Sequence, residues 1–400
     1  SFMGYLNKPK YNIRKDYINN NCIVIKKMNI IISGINLYEG GALKVYYDCL
    51  DAIISNVNFK KYDVTIFVHK KELFEPYKKF FKIIELPKSR NNYLYRVWYE
   101  YIYFYFYSLN KSVDVWISLH DITPNVKAKN QFVYCHNPSP FLKYNKKIKK
   151  IDRKAYFFSK YYKLLYRINI KKNKYVIVQQ NWIRNAFKKI YKIENIVVSS
   201  PVLEKKSDCN MKKEFIDLNI KKDEKVFIYP ALPRIFKNFE VICEAVKLLK
   251  KEGIDGFKVL LTIDGSENEY SKQIFSKYNY LNNIMFIGKQ NREKMNFLYD
   301  ISNIMIFPSK METWGLPISE FKEINKPLIL ADEPYAHETL GNYDKAIFFS
   351  TNNPIELSED MKKVIKCVSL FKKFSSRKEE KPYFHSWGEL FENIIEVSRR

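Results

Sequence analysis

From Met28 onward the chain alternates between short runs of branched and aromatic residues and longer stretches with one polar face. Six such runs occur in the first half: Met28–Ser33, Val64–Val68, Phe81–Leu86, Val113–Leu119, Gln131–Cys135 and Tyr175–Gln179. Each is near-continuously apolar rather than strictly alternating, as expected of parallel strands covered on both faces. A second series follows at Lys225–Tyr229, Lys258–Ile263, Ile284–Ile287, Ile304–Pro308, Pro327–Ala331 and Ala346–Phe349. Helical spacing fills its gaps at Asn238–Glu252, Arg292–Tyr299 and Gly315–Ile324. Strands that alternate with helices of ten or so residues predict crossover units and doubly wound parallel sheets.

The fold class expected is therefore α/β, with two Rossmann-like domains facing each other across a cleft. The boundaries read as an extension without periodicity (1–27), a first domain (28–200) and a charged linker around Pro201 (201–224). A second domain (225–380) and a final segment (381–400) follow, whose helix around Gly388–Val397 has no place in the second alternation and is expected to pack back on the first domain. The aromatic run Tyr93–Leu109 contains Arg96 and Glu100 and is too short to span a bilayer, so it reads as a buried or interfacial helix.

Candidate chemistry gathers at strand ends. After Met28–Ser33 come Gly34, Gly40 and Gly41 and then a helix; glycines there let a backbone approach phosphate at a helix N-terminus, although a plain turn has the same composition. Glu312 and Glu320 stand eight positions apart, one on the loop after Ile304–Pro308 and one inside the next helix, so both face the crevice at the strand's carboxyl end. Between them a Gly315-Leu316-Pro317 turn exposes backbone amides. A solvated Glu312, and a Glu320 held by a cap or salt bridge, are the bland alternatives. Asp121 and Glu39, near first-domain strand ends, are candidate acceptor contacts.

Charge broadens the picture less than its size suggests. The net charge of +26 admits nucleic acid, anionic lipid or acidic substrates as partners. No zinc-finger or RNP signature supports nucleic acid, so none is expected as a partner. The densest basic run, Lys143–Lys154, leads into AYFFSKYYKLLY, a pattern that suits a peripheral surface on anionic headgroups as well as an ordinary solvated helix. Six scattered cysteines without paired spacing favour free thiols in a cytoplasmic protein and argue against structural zinc. No serine triad, Walker A or HExxH pattern occurs.

Five stretches carry a resemblance: YPALPRIFKN (Tyr229–Asn238), TIDG (Thr262–Gly265), FIG (Phe286–Gly288), FPSKMETWGLPISE (Phe307–Glu320) and YCHNPSP (Tyr134–Pro140). Over about residues 28–350 the chain resembles two-Rossmann-domain (GT-B) glycosyltransferases, and its second half is similar to glycosyltransferase family 4, including members of bacterial surface-polysaccharide and lipopolysaccharide assembly. The resemblance implies retaining transfer of a hexose-type sugar from a nucleoside-diphosphate sugar to a lipid-linked or oligosaccharide acceptor. It assigns sugar hydroxyls to Glu312, the ribose diol to Glu320, the diphosphate to Arg234, Lys237 and the amides of Gly315 and Leu316, and a donor contact to His136. Gly265, Gly288 and Lys289 mark strand ends where the donor base should lie against the backbone, and Gly40 and Gly41 are donor positions through the glycine loop after Met28–Ser33. The spacing of three between Arg234 and Lys237 is tighter than in many members. No metal or other cofactor is expected, because the two cations would neutralise the leaving diphosphate. A nucleotide-sugar 2-epimerase shares the two-domain frame and is the rival enzyme; a basic nucleic-acid-binding protein is the rival outside enzymes. The resemblance places the protein in the cytoplasm, at the inner face of the membrane.

Overall fold

A computed structural model describes residues 26–141, 153–201, 218, 220–367 and 379–400. The N-terminal extension as far as residue 25, the basic run through residue 152 and most of the expected linker lie outside the described residues. The first domain supplies strands β1 (Met28–Ser33), β2 (Tyr62–Val68), β3 (Lys82–Glu85), β4 (Val113–Ser118), β5 (Ala128–Cys135), β6 (Tyr175–Val178) and β7 (Ile196–Ser199). The second supplies β8 (Lys225–Tyr229), β9 (Phe257–Leu261), β10 (Ile284–Phe286), β11 (Ile304–Phe307), β12 (Leu328–Ala331) and β13 (Ala346–Phe349), and the chain ends with β14 (Tyr383–Phe384) and a helix.

Spatial order is β14-β7-β6-β5-β4-β1-β2-β3 in one sheet and β10-β9-β8-β11-β12-β13 in the other. Neighbours pair in parallel throughout, for example Ile32 beside Ile66 and Ile117 in the first sheet and Phe307 beside Leu330 in the second. All carboxyl ends of a sheet therefore lie along one edge, and the loops there form the wall of a crevice. The two sheets have separate cores. One is built on Ile30, Ile32, Ile66 and Ile117, the other on Phe227, Ile228, Leu260 and Ile306, all fully buried.

The chain returns to its starting domain at the end. Tyr383 pairs with Val198 at the sheet edge, and the helix Trp387–Arg399 packs against the helix Gly40–Ser55. Trp387, Leu390, Phe391 and Ile394 join the first core, with the Trp387 ring stacked on Tyr134 at 5.2 Å. On one side of the cleft the domains are stitched by buried polar contacts. Gln180 Nε2 donates to the Tyr335 carbonyl (3.2 Å) and the Thr339 hydroxyl (2.7 Å), and the Asn181 amide donates to both Glu338 oxygens.

Several elements escape the hydrophobic pattern. Strands β7 and β14 have four and two residues, too few for a periodic signal. The helix Pro354–Ile365 carries an N-terminal signature that could have found it: Asn353 caps the Glu356 amide and Pro354 stands at the first turn. The run Tyr93–Leu109 is helical as expected, but a π-helical segment at Tyr99–Tyr103 interrupts it. There Arg96 and Glu100 turn inward, 3% and 2% exposed, while Leu94, Trp98, Ile102 and Phe106 face outward.

Candidate active site

The loop after β8 and the loop after β11 are sewn together by main-chain bonds. Ile235–Lys237 form a single 3-10 turn, the Tyr229 hydroxyl donates to the Lys237 carbonyl (2.8 Å), and the Lys310 amide donates to the Phe236 carbonyl (2.8 Å). Asn238 stands between this turn and the helix Phe239–Lys251. It occupies the N-cap position in a left-handed conformation (φ 59°) and makes no side-chain cap; its amide donates instead to the Pro308 (3.2 Å) and Thr351 (2.8 Å) carbonyls. The side chain locks two neighbouring loops rather than one helix end.

This framework fixes an ion pair. Lys237 Nζ lies 2.5 Å from Glu312 Oε1, with the side chains only 17% and 13% exposed. Tyr335, whose hydroxyl donates to the Ser309 carbonyl (2.7 Å), backs the Glu312 loop. Gly315 follows at φ 85°, where a Cβ would sit 3.2 Å from Ile318 Cδ1, so the turn into the helix Leu316–Glu323 requires glycine. Within that helix Glu320 accepts from Arg292 Nη1 (2.5 Å) and from the Tyr299 hydroxyl (2.9 Å). The salt-bridge alternative is thus what the chain shows. Each carboxylate oxygen retains capacity for a second hydrogen bond. Burial, and then the Glu320 charge, drive the Tyr299 hydroxyl well above its ordinary pKa, so it stays a donor.

Across the crevice stands the loop after β1. A methyl group at Gly41 would lie 3.9 Å from Leu316 Cδ1, which sets the start of the Gly40–Ser55 helix opposite the start of the Leu316–Glu323 helix. Tyr38 receives the Arg90 guanidinium on its ring at 3.1 Å. The exposed Arg234 is close enough for its charge to act on the Tyr38 hydroxyl, whose pKa is raised chiefly by a hydrogen bond with Glu39. Arg234, Lys237, Glu312, Gly315, Leu316, Gly40 and Gly41 are therefore brought to one place.

His136 projects from the end of β5 in a second cluster. Its main-chain amide donates to Asp121 Oδ1 (2.8 Å), and its ring lies 5.5 Å from that of His120. Asp121, expected as an acceptor contact, is 2% exposed and already bonded within the domain: its Oδ1 also accepts from Tyr166 (2.8 Å) and the Asn137 amide (3.2 Å), and its Oδ2 accepts from Tyr162 (3.3 Å). It holds the His136 loop instead of a substrate. His120, which motif reading passes over, is kept neutral: burial first, then the Arg96 and His136 charges, push its pKa well below the ordinary value. Ligand atoms of His120, Asp121 and His136 fall within 4.8 Å of one another.

Gly265, Gly288 and Lys289 stand in the loops after β9 and β10. A Cβ at Gly288 would meet Asp264 Oδ2 at 2.7 Å, and one at Gly265 would meet Phe275 Cβ at 2.8 Å. Both glycines also stand at positive φ, 92° at Gly265 and 66° at Gly288. Lys289 is exposed.

Residues 210–381 match the family model of "Glycosyl transferases group 1". Over 258 residues the chain is 22% identical to the O-antigen chain mannosyltransferase RfbU of Salmonella typhimurium, a match covering 62% of this chain and 65% of that relative's length. Among solved structures it superposes on the lipopolysaccharide outer core galactosyltransferase WaaB with a TM-score of 0.61 at 12% identity, covering 92% of this chain and 99% of that one. It superposes on Anabaena Alr3699/HepE, solved with UDP and glucose, with a TM-score of 0.56 at 12% identity, covering 85% and 90%. The two-sheet architecture is that of GT-B glycosyltransferase structures.

Proposed function

We propose, from a group 1 glycosyltransferase domain at residues 210–381 set in a GT-B frame, that this protein transfers a sugar from a nucleoside-diphosphate sugar to a saccharide acceptor in lipopolysaccharide or O-antigen assembly. The observation that carries the proposal is the partly buried Lys237–Glu312 pair at the carboxyl edge of the second sheet, its glutamate four residues before Leu316, which meets the Gly40-Gly41 loop. It sets a fixed cation beside a fixed hydrogen-bond acceptor. A diphosphate accepts from Lys237 and Arg234 while sugar hydroxyls donate to Glu312, and the Glu320 lone pairs take the ribose diol. The complexes of HepE with UDP and UDP-glucose support a donor of this class. Both the family model and RfbU describe transferases, which favours transfer over epimerisation.

In this mechanism the acceptor hydroxyl attacks on the face the diphosphate leaves, and the departing phosphate oxygen takes its proton, so anomeric configuration is retained. Lys237 and Arg234 neutralise charge that grows on the phosphate, and no metal is required. His136 positions the donor from the opposite wall. No helix among the described residues is long and apolar enough to cross a membrane. We place the enzyme at the inner face of the cytoplasmic membrane, supported by the outward Leu94, Trp98, Ile102 and Phe106.

The test is a thermal-shift panel of nucleoside diphosphates and their sugars, since a ligand of the native state raises its stability by about 2.7 kcal/mol at 100 times its Kd. At least one compound should raise the midpoint in the wild type but not in Glu320→Ala or Lys237→Met. No stabilisation by any member of the panel would overturn the donor assignment. NMR of the product then reads the anomeric configuration; inversion would overturn the retaining mechanism.

A further inference from the structure

Beside the ion pair, between the domains, opens a cavity of about 700 Å³. Its walls come from both domains: Pro140 and Phe141, four and five residues beyond His136, on one side, and Lys310 and Met311, immediately before Glu312, on the other. An occupant therefore lies between the two loops that flank the proposed transfer centre. Lys163, Arg167, Lys189 and Lys310 all line it. None of these four forms an ion pair among the described residues, whereas many other surface lysines do. The one acid in the wall, Glu333, already accepts from the Thr351 hydroxyl (2.7 Å). Four cations against the single Glu333 carboxylate leave the wall net positive, and Lys and Arg are the side chains that bind phosphate oxygens.

The outer side of the cavity has a second character. Lys163 and Arg167 lie on the helix Arg153–Arg167, and next to them Phe157, Tyr161, Leu164 and, just past the helix end, Ile168 form an outward apolar stripe, 55%, 40%, 57% and 37% exposed. Spacings of four, three and four put these on one face. Inside the cavity Phe141 and Trp182 meet edge to face at 5.8 Å, giving a flat apolar wall.

We propose that this cavity binds the acceptor, and that the acceptor is anionic: its phosphate or diphosphate sits among Lys163, Arg167, Lys189 and Lys310, with its saccharide directed toward Glu312. The phosphate belongs either to a lipid diphosphate whose hydrocarbon follows the apolar stripe or to a phosphorylated saccharide without lipid. The assignment rests on the transferase reading only for the word acceptor; the anion site stands on the cavity itself.

Intrinsic fluorescence tests it, because Trp182 is in the wall. Pyrophosphate and, separately, farnesyl diphosphate in detergent are titrated into the wild type, Arg167→Glu/Lys189→Glu, Leu164→Ser and Lys237→Met. The double variant should weaken both ligands at least tenfold, with an unchanged thermal midpoint since both positions are exposed. Lys237→Met should leave the Trp182 response in place. Farnesyl diphosphate binding tenfold tighter than pyrophosphate, with the gain lost in Leu164→Ser, identifies the lipid source; equal affinities identify the lipid-free one. Equal pyrophosphate affinity in the wild type and the double variant overturns the site. If nucleoside diphosphates bind Lys237→Met and Glu320→Ala as well as wild type while the double variant still loses pyrophosphate, the donor assignment fails and the anion site remains.

Discussion

Replacing Lys237 by Met keeps most of the side chain's volume against the Phe236 and Phe307 rings and removes only the charge beside Glu312. The pair is 2.5 Å apart and at most 17% exposed, so the variant leaves a largely buried carboxylate without its cation. Removing one partner of a fully buried pair costs about 3–5 kcal/mol. The crevice is open on one side, and water that reaches Glu312 reduces this to about 2 kcal/mol. At roughly 2–4 °C per kcal/mol for a unit of this size, the midpoint falls by about 4–8 °C. The second consequence is catalytic: a fixed donor facing charge that develops in the transition state contributes about 100- to 1,000-fold in kcat. Lys237→Met/Glu312→Gln separates the two effects. Neutralising the stranded carboxylate should recover most of the midpoint and none of the rate. Differential scanning fluorimetry and initial rates of donor consumption read both. A single variant within about 1 °C of wild type, or with kcat within about threefold, would refute the argument that this partly buried pair is both stabilising and catalytic.

Other consequences follow from the packing. Gly288→Ala puts a Cβ at φ 66° and 2.7 Å from Asp264 Oδ2, which should cost about 1–2 kcal/mol from backbone strain before Asp264 moves; a urea midpoint equal to wild type would contradict it. Glu100, buried beside Arg96, has its pKa pushed up to about 7 by desolvation. The folded state then binds more protons than the unfolded state between about pH 4.5 and 7, so this group's contribution to stability falls as pH rises through that window. Glu100→Gln should therefore match wild type near pH 5 and exceed it at pH 8, by a margin on the order of 3 kcal/mol; a pH-independent difference in denaturation midpoints would refute the shift. Gln180→Ala removes two donors at the domain junction, and leaving their buried acceptors unpaired costs about 1–3 kcal/mol. The midpoint should fall and small-angle scattering should show a wider spread of domain arrangements; identical profiles would show that the junction is held elsewhere.

What the sequence determined by itself is the part of this protein that depends on local patterning. Buried parallel strands are apolar along their whole length, so β1 and β8 through β13 were legible within a residue or two at each end. The elements that carry Glu312 and Glu320 were legible as well, because a strand, a glycine turn and a helix leave a local pattern. Only the tertiary structure decided partnership. Glu312 meets Lys237 because Phe236 and Lys310 bond across two loops that are far apart in sequence. Asp121 turned from a candidate contact into the anchor of the His136 loop because two tyrosines from a distant helix reach it. The return of the last helix to the first domain could be expected, because that helix has no place in the second alternation. The pairing of Tyr383 with Val198, the Trp387 stack on Tyr134 and the cavity whose cations come from both domains left no periodic trace, since long-range contact imposes no spacing on the chain.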